Sequence, residues 1–204
     1  MRRALMVALL SLLAVLPLRA DDFGTWHFVQ ATKSLGQSGA YVGFRAEYRD
    51  CNNLTATDRW FLRPFVGYRF TPWLKGELIY DFMRKGTDTQ IHQGIVGLIA
   101  TLREGPLSVT VRERYQYLYN ATAGTSRNYI RSYLKTAYAV PDSRLTPYLA
   151  VELFTWESWK LSRHFAGTAI RLSPNCSLDA FYMYHTFVSQ EPRHVLGLGC
   201  NIAL

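Results

Sequence analysis

Residues 57–70 read Thr-Asp-Arg-Trp-Phe-Leu-Arg-Pro-Phe-Val-Gly-Tyr-Arg-Phe and alternate with a period of two. One set of positions carries three arginines, and the other set is apolar or aromatic from Trp60 to Phe70. Successive side chains of a β-strand point to opposite faces of the sheet. The stretch therefore predicts a strand with one apolar face and one basic face. A soluble barrel buries the apolar face, whereas a transmembrane barrel turns it toward lipid.

The first twenty residues predict a cleaved secretory signal peptide. The chain opens with Arg2 and Arg3, continues with an apolar run from Ala4 to Leu18, and reaches a small residue at Ala20. A basic start, an apolar centre and a small residue before the cut define such a leader. The run falls short of the ~20 residues that a membrane helix needs. The sequence holds no second long apolar run, so a membrane-spanning fold would have to be a closed barrel.

Composition excludes several classes of function. The net charge is +8, but three of the arginines lie in the leader and the others are spread singly along the predicted strands. A nucleic-acid partner is therefore not expected. The three cysteines, Cys51, Cys176 and Cys200, form no CxxC or Cys/His cluster, so no metal site is predicted and their pairing stays open. No cofactor is predicted, and the 14 % aromatic content suits strands.

Ten segments between Ala40 and Leu204 alternate in the same way, each near the ~9–11 residues that cross a bilayer as a tilted strand. Short turns, such as 71–72, alternate along the chain with longer polar loops, such as 50–56. The turns would therefore lie at one end of a barrel and the loops at the other. We therefore predict an all-β fold, an antiparallel up-and-down transmembrane β-barrel of about ten strands over residues 40–204. Residues 21–39 form a periplasmic or plugging segment in this interpretation. Alternatively, residues 23–32 join the sheet and the barrel has twelve strands.

The charged faces of these strands give the candidate lumen residues. This ladder consists of Arg45, Glu47, Arg49, Arg59, Arg63, Arg69, Glu77, Asp81, Arg112, Arg114, Arg131, Glu152, Arg163, Arg171 and Asp179. With Lys75 and Lys135 it holds twelve basic and five acidic residues. Ion pairs could pack the lumen, since buried charges need partners. An Arg-lined pore, or a pocket for an anionic solute or a lipid headgroup, is the functional alternative.

The sequence offers no catalytic group that we would assign, and we predict that the protein is not an enzyme. Asp179 and His185 share a face but lie about 20 Å apart along a strand, too far for a catalytic pair. Glu113 is the misfit of its strand, a charge on the apolar face. Two alternatives to a structural barrel or passive pore remain open: a membrane-embedded lipid-modifying enzyme and a soluble, lipocalin-like periplasmic binding barrel.

Four segments carry a resemblance to a known family. They are Asp-Phe-Gly-Thr-Trp at 22–26, Leu-Thr-Pro-Tyr-Leu-Ala-Val-Glu-Leu-Phe at 145–154, Ser-Leu-Asp-Ala-Phe-Tyr at 177–182 and His-Val-Leu-Gly-Leu-Gly at 194–199. The chain resembles an uncharacterised family of bacterial outer-membrane β-barrel proteins, the domain of unknown function numbered 2490. The resemblance implies an outer-membrane barrel in contact with outer-membrane lipids. It implies no activity and no catalytic residues.

Overall fold

The computed structural model describes residues 22–188 and 191–204, so the predicted leader at 1–20 lies outside the described residues. The described residues form eleven strands that close into one barrel. The strands are β1 (Asp22–Ser34), β2 (Ala40–Cys51), β3 (Ala56–Arg69), β4 (Leu74–Lys85), β5 (Thr89–Glu104), β6 (Leu107–Asn120), β7 (Thr125–Tyr138), β8 (Leu145–Trp156), β9 (Ser158–Ser173), β10 (Cys176–Phe187) and β11 (Arg193–Ala203). The prediction of an all-β closed barrel is confirmed.

The predicted strand number is wrong, because β1 belongs to the sheet. Residues 22–34 do not plug the lumen but pair with β2 on one side and with β11 on the other. In the described residues the count is therefore eleven, neither ten nor twelve. An up-and-down chain with an odd number of strands returns with its first and last strands in the same direction. β1 and β11 accordingly close the barrel as a parallel pair, while every other pair is antiparallel.

The sequence pattern misses β1 because its polarity differs from that of the other strands. Its inner face buries Trp26 and Phe28, and its outer face exposes His27 and Val29. Apolar side chains thus occur on both faces, and so do polar ones, with His27 on the outer face and Gln30 on the inner face. A strand of this kind does not show the apolar-out alternation that identifies the others.

The connections between strands are short at both ends of the barrel, which contradicts the predicted contrast between turns and loops. One end, which we call the turn end, carries connections 35–39, 70–73, 105–106, 139–144 and 174–175. The other, which we call the loop end, carries 52–55, 86–88, 121–124, 157 and 188–192. Much of each predicted polar loop is strand, since polar residues at a barrel rim can continue the ladder into water.

Aromatic side chains lie flat against glycines along the inner wall. Phe65 faces its cross-strand partner Gly43, and Phe181 and Phe28 face Gly197 and Gly199 in the same manner. A Cβ atom at any of these glycines would overlap the facing ring. The absence of a side chain lets each ring cover the wall instead of projecting toward the barrel axis. The central space is therefore left to the charged side chains.

The outer face is apolar over most of its height. Large apolar side chains are exposed in its middle, including Leu78, Val96, Leu98, Val111 and Leu149. Exposed aromatic residues lie toward both ends: Tyr48, Tyr117, Tyr119 and Trp159 toward the loop end, and Tyr68, Phe70, Trp73 and Tyr138 toward the turn end. No helix long and apolar enough to cross a membrane occurs in the described part of the chain.

Candidate functional site in the barrel lumen

Contacts between strands that are not neighbours establish which side chains point inward. Arg114 of β6 donates to Glu77 of β4, and Tyr41 of β2 donates to the same carboxylate; both distances are 3.0 Å. Arg112 of β6 reaches Glu152 of β8 at 2.7 Å. Such pairs can meet only across the interior of a closed barrel. The face that carries the charged residues is therefore the lumen face.

Glu152 is the most heavily shared acid in the lumen. Its Oε1 accepts from Nη2 of Arg112 at 2.7 Å and from Nη2 of Arg131 at 2.8 Å, and its Oε2 accepts from Nη1 of Arg163 at 3.1 Å. Arg131 also donates to Gln116 at 2.8 Å. Only 2 % of Glu152 is exposed. One carboxylate therefore serves three guanidinium groups from three strands, which leaves an excess of positive charge at this level.

Two more acids, together with Glu77 and Glu152, complete the set of ion pairs inside the barrel that we call the central network. Asp81 accepts two hydrogen bonds from Arg63, both 2.6 Å long. Glu47 is held between Arg45 and Arg49, whose Nε atoms donate to its two oxygens at 2.8 and 2.6 Å. Paired hydrogen bonds of this kind fix the planar guanidinium group and are the strongest form of ion pair. They give the lumen a defined arrangement of charge.

The lumen arginines also stack on the aromatic wall. Arg49 lies over Trp26 and Arg45 lies over Phe28, each with 3.7 Å from its guanidinium carbon to the ring centroid. The ammonium group of Lys135 lies 3.6 Å from the centroid of Tyr148. A cation over an aromatic face is stabilised by about 0.5–2 kcal/mol. The rings therefore add stabilisation to Arg45 and Arg49, which share one carboxylate, and to Lys135.

The remaining ladder residues lie toward the two ends. At the loop end, Arg59 pairs with Asp58 at 2.9 Å. At the turn end, Asp179 accepts from Tyr148 at 2.8 Å, and Glu77 also receives Lys75 at 3.4 Å. Arg69 and Arg171 are exposed there and make no ion pair within the described residues. These two belong to the rim and not to the central network.

Sequence reasoning overlooked several members of the network. Asp58 occupies a position that the alternation assigns to the apolar face, but the register between β2 and β3 shifts between Arg49 and Asp50. Such a bulge has no reliable sequence signal. Asp22 and Arg193, 2.5 Å apart, meet only because β1 and β11 are neighbours. Tyr41 and Tyr148 lie on the inner face, and their strand period could have identified them.

Two of the polar contacts on the outer face bear on the sequence predictions. Ser132 donates to Glu113 at 2.8 Å, near the middle of β6 and β7, so the misfit charge does face outward. Ser162 Oγ lies 2.9 Å from His164 Nε2 and 2.7 Å from Thr186 Oγ1. A Ser–His nucleophile needs a third group to orient the histidine. Among the described residues, no carboxylate is hydrogen-bonded to His164, so this contact supplies only part of such a site.

Comparison with known proteins gives a family and several distant structural similarities. No curated protein matches the sequence. The structure of the NanC porin has 13 % identity and a TM-score of 0.49, and the match covers 80 % of this chain and 86 % of that one. The KdgM porin has 12 % identity and a TM-score of 0.48, covering 84 % of this chain and 94 % of that one. Its complex with disordered oligogalacturonate gives the same values.

The sequence itself establishes the family. The model of the family described as "Protein of unknown function (DUF2490)" matches residues 23–195. The match spans all but the last strand of the barrel and confirms the resemblance carried by the four segments. The chain therefore belongs to the DUF2490 family.

Proposed function

We propose that this protein is a bacterial outer-membrane β-barrel whose narrow, basic lumen gives small anions a passive route across the membrane. The membrane part of the proposal rests on the outer face. Soluble monomers rarely expose a contiguous apolar patch larger than a few hundred Å². Here exposed apolar side chains surround the barrel on strands such as β4, β5, β6 and β8. Lipid is the solvent that such a face requires.

The positions of the exposed aromatic residues also support a membrane environment. Tyrosine and tryptophan are enriched where a membrane protein meets the headgroups, since their rings are apolar and their tips are polar. Many of the exposed aromatic residues lie toward the two ends of this barrel, and aliphatic residues predominate between them, beside Phe44, Tyr80 and Tyr115. The strands, of 11 to 16 residues, are long enough to cross a hydrocarbon layer of ~30 Å at a tilt. A soluble, lipocalin-like barrel would not need this arrangement.

The proposed preference for anions rests on the excess of positive charge inside the lumen. The central network contains seven arginines and four carboxylates. The arginines are Arg45, Arg49, Arg63, Arg112, Arg114, Arg131 and Arg163, and the carboxylates are Glu47, Glu77, Asp81 and Glu152. An enclosed charge without a partner is costly. The excess of guanidinium groups therefore favours water and mobile anions in the lumen and disfavours cations.

Solvent reaches part of this network. The side chain of Arg112 is 21 % exposed, and that of Arg45 is 16 % exposed, although both lie on the inner face. Their ion pairs are thus hydrated on one side, while Asp81 and Glu152 are enclosed. This pattern supports a thin aqueous passage beside a fixed charge network. We expect such a passage to admit small ions and not large solutes.

Ion conductance of the purified, refolded protein in a planar lipid bilayer tests the proposal. We expect small, stable current steps, and we expect Arg112→Gln to reduce the chloride current because it removes a hydrated guanidinium group. Arg84→Gln, an exposed residue on the outer face at the loop end, is the matched control. Absence of conductance above background in folded protein would overturn the pore. Recovery of the protein in the osmotic-shock fraction without detergent would overturn the membrane location.

A further inference from the structure

The loop end of the lumen contains a small enclosed cavity of about 30 Å³. Its lining includes His185 of β10, Trp26 of β1 and three arginines, Arg49, Arg59 and Arg193. A water molecule needs roughly 10–15 Å³ of such volume. The cavity therefore has room for two or three water-sized groups, for example a halide ion or a single carboxylate group, and not for a sugar ring.

His185 points a free polar atom into this part of the lumen. The residue is 7 % exposed, and its Nε2 is enclosed without a hydrogen-bond partner among the residues that the structure describes. An enclosed polar atom without a partner costs about 1–3 kcal/mol. The nitrogen can satisfy this requirement by donating to a bound acceptor.

The neighbours of His185 determine which kind of acceptor fits. Its two cross-strand partners are Arg163 on β9 and Arg193 on β11. Two positive charges therefore flank His185, one on each side. A negative group placed against this row is stabilised by both. Arg49 and Arg59, which are cross-strand partners on β2 and β3, line the same cavity.

The acids that line the cavity do not use up these donors. Asp50 is engaged by Thr25, whose backbone N–H and hydroxyl donate at 2.6 and 2.7 Å. Asp58 accepts from Arg59 at 2.9 and 3.2 Å and from Arg193 only at 3.5 Å. A guanidinium group carries five N–H donors. Each of the three lining arginines engages acids through only two of its nitrogens, so donors remain for a ligand.

We infer that this cavity is a binding site for one small anion, a halide ion or the carboxylate group of a small organic acid, at the loop-end mouth of the lumen. His185 donates to the anion, and Arg49, Arg59 and Arg193 supply the surrounding positive charge. The inference deepens the proposed function, and rests on it for the role of the site as the first stop of an anion entering the lumen. Binding itself does not depend on conductance.

Chloride NMR on the refolded barrel in zwitterionic detergent tests the site without a bilayer. We expect the ³⁵Cl line to broaden on addition of protein and to narrow again when formate displaces chloride. His185→Phe should weaken binding about tenfold or more, since it removes a hydrogen bond to a charged group. His164→Phe is the matched control, because His164 lies one strand away on the outer face and at the same end. Its chloride broadening should equal that of the parent protein.

Each outcome has a defined meaning. Broadening that depends on His185 and is displaced by formate assigns a carboxylate site, and broadening that formate leaves unchanged assigns a halide site. Equal broadening in the parent and His185→Phe proteins overturns the inference. If His185→Phe fails to refold, Arg59→Gln at the same cavity takes its place with the same expectation. Binding without conductance would overturn the pore alone, and conductance without binding would overturn the site alone.

Discussion

Arg63 and Asp81 form a two-pronged ion pair on the inner face of neighbouring strands. Nε donates to Oδ1 and Nη2 donates to Oδ2, both at 2.6 Å, and Asp81 is completely enclosed. The ladder between β3 and β4 is interrupted at this level, between Leu62 and Phe65. Pro64 lies in the gap and has no N–H to donate. The side-chain pair thus joins the two strands where the backbone does not.

We expect Asp81→Asn to destabilise the barrel by about 3–5 kcal/mol, because it leaves Arg63 charged, enclosed and without its partner. The measurement is urea unfolding of the refolded protein, followed by the loss of the heat-modifiable band on gels. Asp88→Asn, in an exposed loop-end connection, is the control and should change stability little. Equal stability of both variants would show that the Arg63–Asp81 pair does not hold these strands together.

Neutralising Glu152 should increase the anion preference of the lumen. Glu152→Gln frees three arginines from their shared carboxylate, so the positive excess rises where the network is densest. The reversal potential under a salt gradient should move further toward that of chloride. Glu113→Gln, the same change on the outer face, should leave it unchanged. A shift in Glu113→Gln but not in Glu152→Gln would contradict the assignment of the two faces.

Aromatic rings pack against the inner glycines, so a side chain added at such a glycine should narrow the lumen. Gly43→Ala places a methyl group where the Phe65 ring lies, so the ring must swing toward the barrel axis. We expect a lower conductance with folding retained, since the end of a flexible side chain moves. Gly94→Ala on the outer face has open space and is the control. Unchanged conductance in Gly43→Ala would contradict the wall packing.

An arginine introduced on the outer face would show whether lipid or water surrounds that face. Leu149 lies near the middle of β8 and is 65 % exposed. Leu149→Arg should cost about 2–4 kcal/mol in lipid vesicles, the range found for cationic residues at a bilayer midplane. Leu35→Arg, in a turn-end connection, should cost little. A negligible loss for Leu149→Arg would identify this face as solvated by water.

The two sulfurs of Cys176 and Cys200 lie 3.9 Å apart on β10 and β11, whereas Cys51 is buried at the loop end. Oxidation by a disulfide donor such as oxidised glutathione should therefore join Cys176 to Cys200 and leave Cys51 free. Mass spectrometry of the alkylated, digested protein measures this. A peptide that links Cys51 to either of the other cysteines would contradict the pairing.

The alternation of residues 57–70 predicted the barrel because the two faces of β3 differ so strongly in polarity. The same rule failed at β1, where Trp26 and Phe28 point inward, and at Asp58, where a bulge shifts the register. The period predicted which residues of a strand share a face. It could not indicate that arginines from β6, β7 and β9 meet at Glu152, since that depends on strand order and stagger around the barrel.

The reversal potential of the parent protein in a planar bilayer, under a tenfold gradient of potassium chloride, tests the central claim most directly. The account predicts a current that reverses on the chloride side of zero, because the lumen carries more guanidinium groups than carboxylates. Reversal on the potassium side, by folded protein that inserts and conducts, would show that the enclosed arginines do not set the charge that a passing ion meets.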